Sequence, residues 1–112
     1  MNTSTTIVLT FLAVVFVISG LSKASGNPKG LSGTRDVNVK DGIARIIGAV
    51  EALLAFGLVL GLKWNKLAYP SLITLWFIMA GAIFVHFKAD KAKTAFPAFF
   101  LLTLISIALV LI

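Results

Sequence analysis

The chain has 112 residues, 59% of them hydrophobic, with 10 Lys and Arg side chains against 4 Asp and Glu. It is therefore 12% charged, where a soluble domain carries roughly 25%, and a mean hydropathy of +1.04 over so short a chain excludes a soluble fold in favour of a membrane bundle. The lack of cysteine excludes disulfide exchange, thiolate nucleophiles and cysteine-ligated zinc or iron–sulfur sites, and the lone His86 excludes bis-histidine haem ligation.

No metal-ligating pattern is present, and any redox cofactor would be borrowed rather than covalently bound. The formal net charge of +6 does not imply nucleic acid, because the cations flank apolar runs and no groove-reading motif accompanies them.

The first apolar run, Thr3–Ser22, is close to the ~20 residues that cross a bilayer as a helix. It lacks a basic leader, and Ser22-Lys23-Ala24-Ser25-Gly26 is a poor cleavage site, so a retained helix is expected. Thr6, Thr10, Ala13, Val17 and Gly20 recur at helical spacing and predict its packing stripe. A long polar loop, 23–42, follows, broken by Asn27-Pro28, Gly30 and Gly33. Within it Val37 and Val39 alternate with Asp36, Asn38 and Lys40, a short amphipathic stretch placed to lie over the end of the bundle.

The second helix is expected over 43–62, with Asp41 capping its first free N–H groups. Arg45 lies two residues inside it and can hold its guanidinium at the headgroups. Glu51 lies about 12 Å below the end of that helix, inside hydrocarbon, where an acidic side chain faces the bundle interior and finds partners. Ala44, Gly48, Glu51, Ala55 and Leu58 share its face, so small residues surround the carboxyl and admit a neighbouring helix. Six residues separate Arg45 from Glu51, about 120° around the axis, so they do not pair within the helix. Gly57 and Gly61 form a GxxxG pair suited to close helix contact, including that of a homo-oligomer.

A tight turn at 63–66 leads to the third helix, 67–87, with Trp64 and Tyr69 as interfacial anchors and His86 at its far end. A second tight turn, 88–93, leads to the fourth, 94–112, where Pro97 falls harmlessly in the first turn. Thr103 and Ser106 come to the depth of Glu51 and are its expected hydrogen-bond partners. With such partners Glu51 is expected to be neutral unless a cation reaches it.

The fold class is thus all-α: an integral membrane four-helix bundle, up-down-up-down, in one transmembrane domain, 1–112. Lys23, Lys29, Arg35, Lys40, Arg45, Lys88, Lys91 and Lys93 lie on one side, against Lys63 and Lys66 on the other. This bias places 23–42 and 88–93 in the cytoplasm and both termini outside, in a multi-pass plasma membrane protein. Lys23, Arg45, His86 and Lys88 then ring a cytoplasmic mouth leading to Glu51, or form an interfacial belt that holds lipid headgroups. Glu51 itself reads either as a packing residue or as a ligand or proton site.

Ser19-Gly20-Leu21-Ser22-Lys23 after an apolar run, Gly48-Ala49-Val50-Glu51 followed by Gly57 and Gly61, and Gly81 to His86 together resemble the DoxX-like membrane proteins in order and spacing across the whole chain. The family's basic residue before the first helix and its polar C-terminal tail have no counterpart here. The resemblance implies a four-helix bundle, a founding type linked to thiosulfate and quinone oxidation, other members that attend redox complexes or receptor assembly, and Lys23, Glu51 and His86 as site positions.

The expected function is that of a small accessory or assembly subunit that binds a lipid, quinone or partner helix, without a complete active site. Hydrolysis or group transfer needs a nucleophile with a base, or paired carboxylates, and Glu51 is the only carboxyl in a span. A quinone-linked redox subunit, with electrons supplied by a partner membrane or redox subunit, and a small proton-coupled transporter using Glu51 are the alternatives.

Overall fold

The computed structural model describes residues 2–112, which form helices joined by short turns, with no strand among the described residues. Helix α1 spans Thr3–Ala24, α2 Pro28–Asp36, α3 Asp41–Gly61 and α4 Asn65–Lys88, and a 3₁₀ turn at Ala92–Ala95 leads into α5, Phe96–Leu111. Four segments are long and apolar enough to cross a membrane: α1, α3, α4 and the stretch from Ala92 to Leu111. Large apolar side chains such as Ile7, Phe77, Phe84 and Val110 are exposed around them, the surface expected where the surrounding solvent is hydrocarbon.

The starts of α1 and α2 have a local cause. Asn2 caps α1, its Oδ1 accepting from Thr5 N at 2.8 Å and Thr5 Oγ1 at 2.7 Å. Asn27-Pro28, read from the sequence as a loop break, instead begins a helix: Asn27 Oδ1 accepts from Lys29 N at 2.9 Å and Pro28 takes the first helical position. The expected long polar loop 23–42 is therefore largely α2, held down by the buried Leu31. Asp41 does not cap α3. It is the first helical residue, Lys40 is the N-cap without a side-chain bond, and the Asp41 carboxylate takes Arg35 Nη2 of α2 at 2.7 Å.

The long helices alternate in direction. Gly20 of α1 meets Gly48 and Ala52 of α3, Gly57 and Gly61 of α3 meet Ser71 and Ala68 of α4, and Trp76 Nε1 of α4 donates to Ser106 Oγ of α5 at 3.0 Å. A Cβ on Gly20 would stand 2.5 Å from Gly48 O and 2.7 Å from Ala52 N, so glycine is what lets α1 and α3 cross at backbone contact. The GxxxG pair is likewise used inside the chain, its open faces taken up by α4.

The α3 stripe is buried as expected, from Ala44 through Gly48, Glu51 and Ala55 to Leu58. The α1 stripe is rotated from the expected one: Thr5, Leu9, Leu12, Ala13, Phe16 and Gly20 are buried, while Thr6 and Thr10 are exposed. Large apolar side chains fill the half of the bundle nearer the Leu62–Trp64 turn, where Leu9, Leu12, Leu58, Leu72 and Leu75 are fully buried. Toward α2 the facing residues become small, with Gly48, Ala52, Gly81 and Ala82, and this half of the bundle contains open space.

Candidate functional site

Lys23 sits on the last turn of α1, and its Cβ lies so close to Gly48 that a Cβ added there would be 2.6 Å away. From this position near the helix end a lysine ordinarily extends outward to the headgroups. Lys23 does the reverse. Its stem runs inward and Nζ donates to Glu51 Oε1 at 2.6 Å, with the Lys23 side chain 15% and the Glu51 side chain 1% exposed. Gly48 therefore serves the site directly, by leaving the room through which Lys23 passes. Lys23 is thus the cation that reaches Glu51.

Thr103 and Ser106 are not partners of Glu51. The Thr103 hydroxyl donates to Phe99 O at 3.0 Å, and the Ser106 hydroxyl donates to Leu102 O at 2.9 Å while accepting from Trp76. Both α5 hydroxyls satisfy their own helix backbone, as hydroxyls in apolar helices commonly do. Arg45 also turns away from the site: its Nε donates to Ala24 O at 3.0 Å and its guanidinium lies over Gly26, so it ties the end of α1 to the start of α3. Lys88 is exposed at the end of α4 and lines no part of the space around Glu51.

Two cavities meet at the ion pair. One, of about 320 Å³, lies between α3 and α4, with Ile47, Phe77, Ile78 and Val85 as walls and Val37 and Val39 over it. The other, of about 410 Å³, lies between α1, α2 and α5, reached past Ser19, Gly30, Gly33, Ala98 and Leu101. Lys23, Thr34, Glu51, Met79, Ala82 and His86 line both. Each volume is in the range of small-ligand sites, about 300–1,000 Å³. The expectation that Val37 and Val39 cover the mouth agrees with their place on the first cavity.

His86 is tied to the segment that leads into α5. Its Nδ1 is 2.7 Å from Thr94 Oγ1, and the same hydroxyl is 2.7 Å from Lys91 O. The Thr94 hydroxyl has one hydrogen and two neighbours able to take it, Nδ1 and Lys91 O, so Nδ1 bridges to Thr94 either as donor or as acceptor. Thr34, a wall residue of both cavities, escaped sequence reasoning because the segment that carries it was read as a loop, where helical periodicity gives no orientation. Met79 and Ala82 follow from His86 by helical spacing, at seven and four positions back along the same face of α4.

Among the described residues no group of His, Cys, Asp and Glu side chains could hold a metal ion. What the arrangement offers is recognition. The Lys23 ammonium has three N–H donors and Glu51 takes one, so two can serve a ligand's acceptor atom at the inner end of a mostly apolar space.

A family model for the DoxX-like family matches residues 7–108. The chain belongs to the DoxX-like family. The match spans the four apolar segments and includes Lys23, Glu51 and His86, so this DoxX-like protein is a multi-pass membrane protein over most of its length. Neither a curated protein nor a solved structure matches it.

Proposed function

We propose that this DoxX-like protein is a non-catalytic accessory or assembly subunit that holds the polar head of a membrane amphiphile, a lipid or a quinone, against Lys23. The observation that carries the reading is the Lys23–Glu51 pair, turned inward at the meeting point of two cavities. A buried ion pair is costly to form and contributes little net stability, so an inward-facing lysine with unused donors is better explained by a ligand than by packing. The pair has no net charge, which favours a head with a neutral acceptor such as a carbonyl. The apolar walls of the first cavity suit its chain.

Lys23, Glu51 and His86 are enough to bind and orient such a head, while electrons for any redox step would come from a partner subunit. The pairing speaks less for proton-coupled transport, because the carboxylate would have to release Lys23 in each cycle. By the eight basic residues at the α2 end against two at the other, we place α2 in the cytoplasm and the protein in the plasma membrane.

Native mass spectrometry of protein extracted gently from its own membrane tests the proposal. The expected result is a bound mass beyond exchangeable phospholipid, lost in Lys23→Met and reduced in Glu51→Gln. A chain that carries only exchangeable phospholipid, the same in wild type and both variants, would overturn it.

A further inference from the structure

Resting on the reading that the cavity holds an amphiphile's head, we infer that the ligand enters sideways from the hydrocarbon, through a gap between α3 and α4, and that Gly81 keeps this gap open. The two helices are in close contact at the end near the Leu62–Trp64 turn, where Gly57 and Gly61 admit Ser71 and Ala68. Toward α2 the first cavity occupies the space between them. Two of its lining residues are also on the outer surface of the bundle: Phe77, 67% exposed, and Gly81, one helical turn further along the same face of α4. A Cβ on Gly81 would meet nothing within 4 Å, so the glycine is not required by packing there, unlike Gly20 or Gly48. Its place on the cavity wall, with open space over it, makes it the natural gate.

The second cavity has different surroundings. Asp36 of α2 and Thr94 beside α5 give it a more polar border than that of the first, while Pro97, Ala98 and Leu101 make up its apolar wall. The second opening is thus the more polar of the two, with Lys23, Glu51 and His86 between them. An amphiphile whose carbonyl head rests at Lys23 leaves its chain lying between Ile47 and Phe77, in lipid. Quinones and acyl lipids share this chemistry, a carbonyl acceptor on a hydrocarbon chain.

Photolabelling of the whole protein in nanodiscs tests the route. Two probes are used, a long-chain alkyl benzoquinone and a phospholipid, each with a diazirine midway along one chain. The expected result is labelling of Ile47, Phe77 and Val85 by at least one probe, suppressed by its unlabelled form; the probe that shows this identifies the source of the carbonyl. Gly81→Phe is expected to lower that labelling roughly tenfold by standing in the gap, while Gly81→Ala, which leaves it open, labels like wild type. Phe77→Ala, which widens the mouth, is expected to label faster, and this keeps the route testable should Gly81→Phe fail to fold.

Suppressible labelling on Ser19, Ala98 and Leu101 instead would overturn the lateral route and leave the holding of an amphiphile intact. Labelling spread over the exposed belt that no unlabelled form suppresses would overturn both.

Discussion

Breaking the Lys23–Glu51 pair should cost unequal amounts depending on which partner is removed. Glu51 is 1% exposed and lies more than two helical turns inside α3, on a short side chain that cannot reach the helix end. Lys23 is one residue from the end of α1, and its long stem can swing outward once its partner is gone. Lys23→Met keeps the stem's bulk but leaves the carboxyl unpaired between two mostly apolar cavities, for which a loss of about 3–5 kcal/mol is expected. Glu51→Gln keeps an amide oxygen that Lys23 can still bond, so the loss should be near that of one weakened interhelical hydrogen bond, about 1 kcal/mol. Lys23→Met combined with Glu51→Leu removes both charges and should recover most of the Lys23→Met loss.

The assay is reversible unfolding in mixed micelles by titration with dodecyl sulfate, followed by circular dichroism, with wild type, Lys23→Met, Glu51→Leu and the double variant forming a thermodynamic cycle. A Glu51→Gln loss equal to or above that of Lys23→Met, or a double variant as unstable as the sum of the singles, would refute the inward-lysine geometry.

Three further outcomes are expected. Gly20→Ala places a Cβ against the α3 backbone and should destabilise by about 1–3 kcal/mol, whereas Gly33→Ala, with nothing near its Cβ, should be neutral or slightly stabilising; the same unfolding titration separates them. Asn27→Ala removes the α2 cap and should cost about 1 kcal/mol locally, seen as faster amide exchange over Pro28–Asp36 with the exchange of α3 unchanged. Nitrogen NMR of His86 should show a tautomer ratio that changes in Thr94→Val, because Nδ1 then loses its bond to the Thr94 hydroxyl; an unchanged ratio would contradict the Thr94 bridge.

The sequence by itself determined the spans, their alternation and the buried face of α3. Hydrocarbon thickness requires runs of about 20 apolar residues, short turns force antiparallel neighbours, and a carboxyl in lipid must face inward, so Glu51 oriented its helix. The family was legible for the same reason, since Gly20, Lys23, Gly48, Glu51 and His86 keep their order along the chain.

The rotational setting of α1 was not legible, because a membrane helix is apolar toward both the core and the lipid, and hydrophobic contrast does not mark its inner face. Close packing decided it, through the backbone contact of Gly20 with Gly48 and Ala52. The same crossing decided the partner of Glu51: depth alone is shared by every helix and pointed to Thr103 and Ser106, while Gly48 opened the path for Lys23, 28 residues away in the chain. Helix α2 was hidden by its own Asn-Pro start and two glycines, which look like loop residues until Leu31 is buried against the bundle. Local chemistry fixed where the chain crosses the membrane, and the approach of α1 to α3 fixed which charges meet inside it.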